Sequence, residues 1–193
     1  NPDYWRKGRP YLDAIEWTIV PNRSTRILAF VAGHADMTFD SDVTFPMLKD
    51  VQTQAPKAVC EARPTNVSTN LIINNESPPF NNPEIRKAMM LALDRKAFSK
   101  ILSEGNDLAG AAMLPPPAGV WGMPAEELAK LPGYGEDREK NLAAARAVMT
   151  KLGYSADKPL KIKVATRNIA VYRDPAVILI DQLKQIFIEG ELD

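Results

Sequence analysis

The sequence is poor in the residues that most chemistry needs. Among its 193 residues there is one cysteine, Cys60, and one histidine, His34. A single cysteine excludes an internal disulfide and any multi-cysteine metal site, and a Ser-His-Asp triad could rest only on His34. No apolar run approaches the roughly 20 residues needed to cross a bilayer, and Asn1-Pro2-Asp3-Tyr4-Trp5 lacks the basic and apolar regions of a signal peptide. Net charge is absent too: 24 Lys and Arg balance 24 Asp and Glu, which leaves no global field to attract nucleic acid or an anionic membrane. The signatures G-x-x-x-x-G-K-[ST], H-E-x-x-H, G-x-S-x-G and G-x-G-x-x-G are all missing, so no cofactor or metal is expected.

What is present is core material. Hydrophobic residues make up 45% of the chain and charged ones 25%, enough for one sizeable core or two modest lobes. There is no initiator Met, and the chain stops just past Gly190, which is read as a helix cap preceding another element, so the sequence is expected to be a piece of something longer.

Periodicity gives the order of elements. Ile15, Trp17 and Ile19 alternate with polar residues, predicting a strand over about 14–20. Asn22 or Ser24 caps a helix over about 24–32 with Ile27, Leu28 and Val31 as its stripe and Gly33 as its left-handed stop. "ADMTF" reads as a strand, "TFPMLKDVQTQ" as a helix with Pro46 near its first turn, and "KAVCEA" as a strand that would bury Cys60 as a small hydrophobe. Residues 67–74 read as a strand whose "LII" is covered on both faces, ended by Pro78-Pro79. Asn82 and Pro83 then open a helix carrying Ile85, Ala88, Met89, Ala92 and Leu93, and Asp94 caps a second helix ending at Gly105.

Residues 106–135 concentrate Pro and Gly, with a short helix at "AEELAK" and Trp121 either anchoring its loop or stacking on a ligand. A helix follows over "DREKNLAAARAVMTKLG", burying Leu142, Ala145, Met149 and Leu152. In "LKIKVAT", Leu160, Ile162 and Val164 face inward while Lys161 and Lys163 form a solvated face. Asp174-Pro175 is predicted to open the last helix, with Leu179, Ile180, Leu183, Ile186 and Phe187 as its stripe. Alternating strands and helices place the chain in the α/β class.

One pattern suggests catalysis. Asp40-Ser41-Asp42 follows a predicted strand, and two carboxylates two residues apart can hold a divalent cation, as the D-x-D of nucleotide-sugar glycosyltransferases does. A polar turn carrying two acids is the competing explanation. The N-x-[ST] triplets at Asn22, Asn66 and Asn75 matter only in a eukaryotic secretory chain.

Two longer stretches carry a resemblance. "NPDYWRKGRPYLDAIEWTIVPNRSTRILAFVAGHADMTF" is similar to a stretch of the extracytoplasmic oligopeptide-, dipeptide- and nickel-binding proteins, with Arg26, Phe30, Gly33 and Asp36 on an R-x-x-x-F-x-x-G-x-x-D pattern. "NLIINNESPPFNNPEIRKAMMLALDRKAF" resembles the same family through Asn75, Pro79, Phe80, Asn82, Ile85, Arg86, Ala88, Ala92, Asp94 and Arg95, and "KNLAAARAVMTKLGY" looks like the helix before a lobe-closing strand. The family is extracellular solute-binding family 5, the receptors of ABC importers.

The resemblance implies part of a two-lobed, periplasmic-binding-protein type II architecture with mixed sheets and flanking helices. Residues 1–65 would belong to lobe I, 66–75 would be an inter-lobe crossing strand whose "NVSTN" serves as hinge, and 76–193 would belong to lobe II. It implies a periplasmic or extracytoplasmic, non-enzymatic, monomeric receptor that hands a peptide or other small solute to permease subunits. Phe39, Asp40, Ser41, Ser68 and Asn70 would line the cleft, and Asp40-Ser41-Asp42 becomes cleft rim rather than a metal site. Extended pairing to a peptide backbone would explain tolerance of many side chains.

Overall fold

The computed structural model describes residues 3–61, 69–106, 122–135 and 137–193. In chain order the elements are α1 (Arg23–Val31), α2 (Phe45–Gln54), α3 (Pro83–Ala92), α4 (Arg95–Ser103), α5 (Ala125–Leu128), α6 (Arg138–Lys151), β1 (Leu160–Val164), α7 (Ala170–Lys184) and β2 (Ile188–Leu192). Their starts follow local capping chemistry. The side chains of Asn22, Asn82, Asp94 and Asp137 accept backbone N–H bonds from Thr25, Glu84, Ala97 and Lys140, satisfying donors that the first helical turn leaves open. Gly33 and Gly153 lie just past α1 and α6 at φ of 78° and 87°, the left-handed conformation that glycine adopts without penalty.

The core is built from the second half of the chain. Along α3, Ile85, Ala88, Met89 and Ala92 fall on one face and are buried against Leu142, Ala145 and Met149 of α6. Ala88, Ala92 and Ala145 are fully buried, so the two helices meet through small side chains. β1, α7 and β2 form a βαβ unit in which the two strands pair in parallel, Leu160 opposite Ile188 and Val164 opposite Leu192. Leu160, Ile162 and Ile188 point to the core, whereas Lys161 pairs in register with Glu189 and Lys163 with Glu191 on the other face. Alternation in this strand is therefore as predicted.

Gly190 is not a helix cap. It sits inside β2, where an added Cβ would come within 2.7 Å of Cγ1 of Ile180 on α7, so only a side-chain-free residue lets the strand lie this close to the helix. The turn from α7 into β2 is made by Phe187 at φ 65°. The last helix also starts earlier than expected, at Ala170, and Pro175 lies inside it. A proline that near the start sacrifices one bond, to Val171 O, and its buried ring packs instead.

Four predicted strands do not form among the described residues. The stretches 14–20, 35–39 and 57–61 and the described part of 67–74 are not strands, and Ile19, Val59 and Ile72 are each over 90% exposed. A strand exists only when a neighbour supplies the ladder, and the one ladder among the described residues joins β1 to β2. "LII" is thus not covered on both faces; only Ile73 packs against the core. Cys60 is half-buried and outside any strand. Trp121 lies outside the described residues.

Candidate functional site

The segment singled out by the D-x-D pattern is a turn held by helix α1. The N–H of Asp42 donates to the carbonyl of Phe39 at 2.9 Å, closing a four-residue turn over Phe39, Asp40, Ser41 and Asp42. Asp42 is buried, and its carboxylate accepts from Arg26 through Nε at 2.9 Å and Nη2 at 2.6 Å, a bidentate ion pair. Arg26 also donates through Nη1 to the carbonyls of Val20 and Pro21. Arg23, one turn earlier, donates through Nε to the carbonyl of Asp42.

The hydrogen bond that Arg26 donates to Asp42, and the charge of Asp42, raise the Arg26 pKa above the ordinary guanidinium value, against the effect of desolvation. A raised guanidinium pKa keeps Arg26 charged throughout the neutral and mildly alkaline range, and its side of the pair is lost only above the guanidinium range. Asp42 is thus a structural anchor with its oxygens spoken for. Nothing in this arrangement supports a glycosyltransferase, and no cluster of three or more His, Cys, Asp or Glu suited to a metal occurs among the described residues.

Anchoring Asp42 leaves the rest of the turn facing outward. Phe39 is 58% exposed, Asp40 is exposed and Ser41 is half-buried. Asn70 is exposed as well, and Ser68 lies outside the described residues. Neither the turn nor Asn70 lines the groove of about 710 Å³ that their chain neighbours Thr44 and Thr69 border. Thr44 and Pro46, just after the turn, line one side, and Thr69, next to Asn70, lines another. The remaining walls are Ile101 and Leu102 of α4 and Ala170 to Ile178 along the first half of α7, with Arg173 and Asp174 as charged groups. The groove's walls are mostly apolar.

Sequence reasoning missed these α4 and α7 walls. The signal available for α7 was the polar, irregular "TRN" between β1 and the next helix, since loops after parallel strands commonly face a ligand crevice.

The residues of the second resemblance turn out to be joints. Asn82 caps α3, Arg86 donates to the carbonyl of Phe80 at 2.6 Å, and Asp94 caps α4 while its Oδ2 lies 3.5 Å from Nε of Arg138. Arg95 donates to the carbonyl of Gly133 at 2.8 Å and lies 3.8 Å over the ring of Tyr134, pinning loop 131–135 to the start of α4. Gly133, at φ 81°, leaves no space for a Cβ, which would sit 2.5 Å from the carbonyl oxygen of Met90.

Comparison with known proteins agrees in sequence and in fold. The chain is 25% identical over 178 residues to the periplasmic oligopeptide-binding protein OppA of Escherichia coli K12, covering 92% of this chain and 31% of that protein. Heme-binding protein A of Haemophilus influenzae is 30% identical over 157 residues, covering 80% and 26%. The oligopeptide-binding protein AppA from Bacillus subtilis, solved with a nonapeptide, superimposes with a TM-score of 0.64 at 23% identity, over 100% of this chain and 38% of that one. The chain therefore spans about a third of the length of these relatives, and its fold is part of the type II periplasmic-binding-protein architecture, a mixed α/β piece with helices around a small sheet. No helix among the described residues is long and apolar enough to cross a membrane. With the model of the bacterial extracellular solute-binding proteins, family 5 Middle, matching residues 1–192, the chain belongs to that family, whose members are binding proteins.

Proposed function

We propose that this chain is part of the solute-binding receptor of an ABC importer, a periplasmic or otherwise extracytoplasmic protein that captures peptides or related small solutes and delivers them to the permease subunits. It acts as a monomer and catalyses nothing itself; the chemical work belongs to the transporter's ATPase. The observation that carries this reading is the family match along residues 1–192.

In this reading residues 1–65 belong to lobe I, 66–75 cross between lobes, and 76–193 belong to lobe II. Phe39, Asp40, Ser41, Ser68 and Asn70 contact the ligand. Two features support that assignment. The turn at 39–42 is rigidly anchored through Asp42 yet turns an aromatic ring and a carboxylate outward, a combination suited to an amphipathic ligand. Thr44, two residues after the turn, and Thr69, next to Asn70, line one groove. An extended peptide there would bind chiefly through its backbone, with side chains in loosely fitting spaces. A ligand that touches both lobes favours the closed arrangement in proportion to its extra contacts.

The test is native mass spectrometry of the purified chain, and of the longer gene product if there is one, with sequencing of what is released on denaturation. Peptides of a few residues are the expected adducts. Phe39→Ala and Asp40→Ala should each lower peptide affinity by about tenfold, a loss of about 1.4 kcal/mol. Catalytic turnover of a nucleotide sugar dependent on Asp40 would overturn the proposal.

A further inference from the structure

Gln182 is a buried polar residue, 5% exposed, in the last turn of α7. Its amide meets both backbone groups of a single residue 88 positions earlier. Oε1 accepts from the N–H of Asp94 at 2.8 Å, and Nε2 donates to the carbonyl of Asp94 at 3.2 Å. Asp94 is the N-cap of α4, at the corner where α3 ends. A planar amide held at both ends fixes orientation as well as distance.

The geometry links this joint to the groove. The start of α4 meets the end of α7 at the Asp94–Gln182 joint, while the end of α4, with Ile101 and Leu102, and the first half of α7 face each other across the groove. The two helices therefore run in opposite directions, joined at one end and open at the other. At 1.5 Å rise per residue, the seven or eight residues from the joint to the groove correspond to roughly 10–12 Å along α4.

We infer that Gln182 is a positioning residue for the groove: its amide, bonded to both backbone groups of Asp94, fixes the angle of α4 against α7 and so the separation of Ile101 and Leu102 from the first turns of α7. Removing the amide leaves the Asp94 N–H without its partner in a partly buried site, and the corner must shift to find another. Arg138, whose Nε lies 3.5 Å from Asp94 Oδ2, touches only the side chain and cannot replace the amide at the backbone. The role in setting groove width stands by itself; its consequence for binding rests on the proposed function above.

The experiment reads groove width directly. Nitroxide labels are placed at Ile101→Cys and Val177→Cys, both half-exposed groove residues, in a Cys60→Ser background, and their separation is measured by pulsed electron paramagnetic resonance. A control pair at Lys87→Cys and Lys151→Cys, exposed on α3 and α6, reports on the core. Gln182→Met, similar in length but unable to hydrogen-bond, should shift the groove distance by about 2 Å or broaden it while leaving the control pair unchanged. Gln182→Glu, which keeps the acceptor for Asp94 N–H, should fall between. An unchanged groove distance in folded Gln182→Met, equal broadening of both pairs, or loss of folding in both variants would each overturn the positioning role.

Binding of a fluorescein-labelled nonapeptide library, followed by anisotropy, then separates the two readings. Affinity weakened about tenfold by Gln182→Met is expected. A widened groove with unchanged affinity would remove the groove from the ligand site while leaving Gln182 as the determinant of its width. No binding by the unmodified chain would count against the function proposed for this chain alone.

Discussion

Residues 83–193 and residues 3–61 treat their apolar side chains in opposite ways. In the later region Ile85, Met89, Met149, Leu183, Ile186 and Ile188 are buried together, and even partly exposed residues such as Phe98 and Tyr154 pack on that cluster. In the earlier region, among the described residues, only Ile27 and Val51 are buried apolar residues, while Trp5, Ile15, Trp17 and Met37 stand largely in solvent. Composition does not explain the contrast, because both regions are rich in apolar residues. The difference lies in what each pattern needs in order to be used. A helix supplies its own backbone hydrogen bonds and needs only one neighbour for its stripe, and α3, α6 and α7 supply each other. An extended segment needs a ladder partner before its alternation can bury anything, and none of the described residues serves as one. What order the earlier region has comes from polar chemistry, chiefly the grip of Arg23 and Arg26 on Asp42.

Substitutions can break or sharpen this contrast. Leu183→Ala, at a fully buried site on α7, should cost about 2–5 kcal/mol by loss of burial and creation of a cavity, read from urea denaturation. Gly133→Ala should cost about 1–3 kcal/mol, because the new methyl group meets the Met90 carbonyl and the backbone is left-handed there. A melting temperature unchanged by this substitution would show that loop 131–135 does not rest on α3 in solution. Asn82→Ala removes the α3 cap and should cost about 1 kcal/mol, recovered mostly by Asn82→Ser. Ile19→Thr, on the unpaired segment, should change stability by less than about 0.5 kcal/mol. A loss near that of Leu183→Ala would mean that Ile19 is buried in solution, and the contrast between the regions would collapse.

Several features were legible in the sequence alone because their physics is local. Asn22, Asn82 and Asp94 cap the helices they precede, Gly33 stops α1, and the stripes of α3 and α6 are the ones buried. The β1 alternation was also readable, since the following helix returns the chain to a parallel partner. The family too was carried by local wording, and the structure gives a reason: Arg86, Asp94 and Arg95 join elements in fixed ways, so their spacing is constrained whatever the ligand.

Contacts across large sequence distances were decided only by the tertiary structure. Whether residues 14–20 form a strand depends on a neighbour that alternation cannot specify. Asp42 looked like half of a metal-binding pair until Arg26, 16 residues away, was seen to hold both its oxygens. Gly190 looked like a cap until Ile180 was found against it, and Pro175 looked like a helix start until its ring was found packed inside α7. The groove itself joins Thr44, Thr69, Ile101 and Arg173, residues that no periodicity relates. Caps and stripes follow from interactions within one or two helical turns, so the sequence by itself determined them; partners and walls follow from which surfaces the packed chain brings together, and those only the fold could decide.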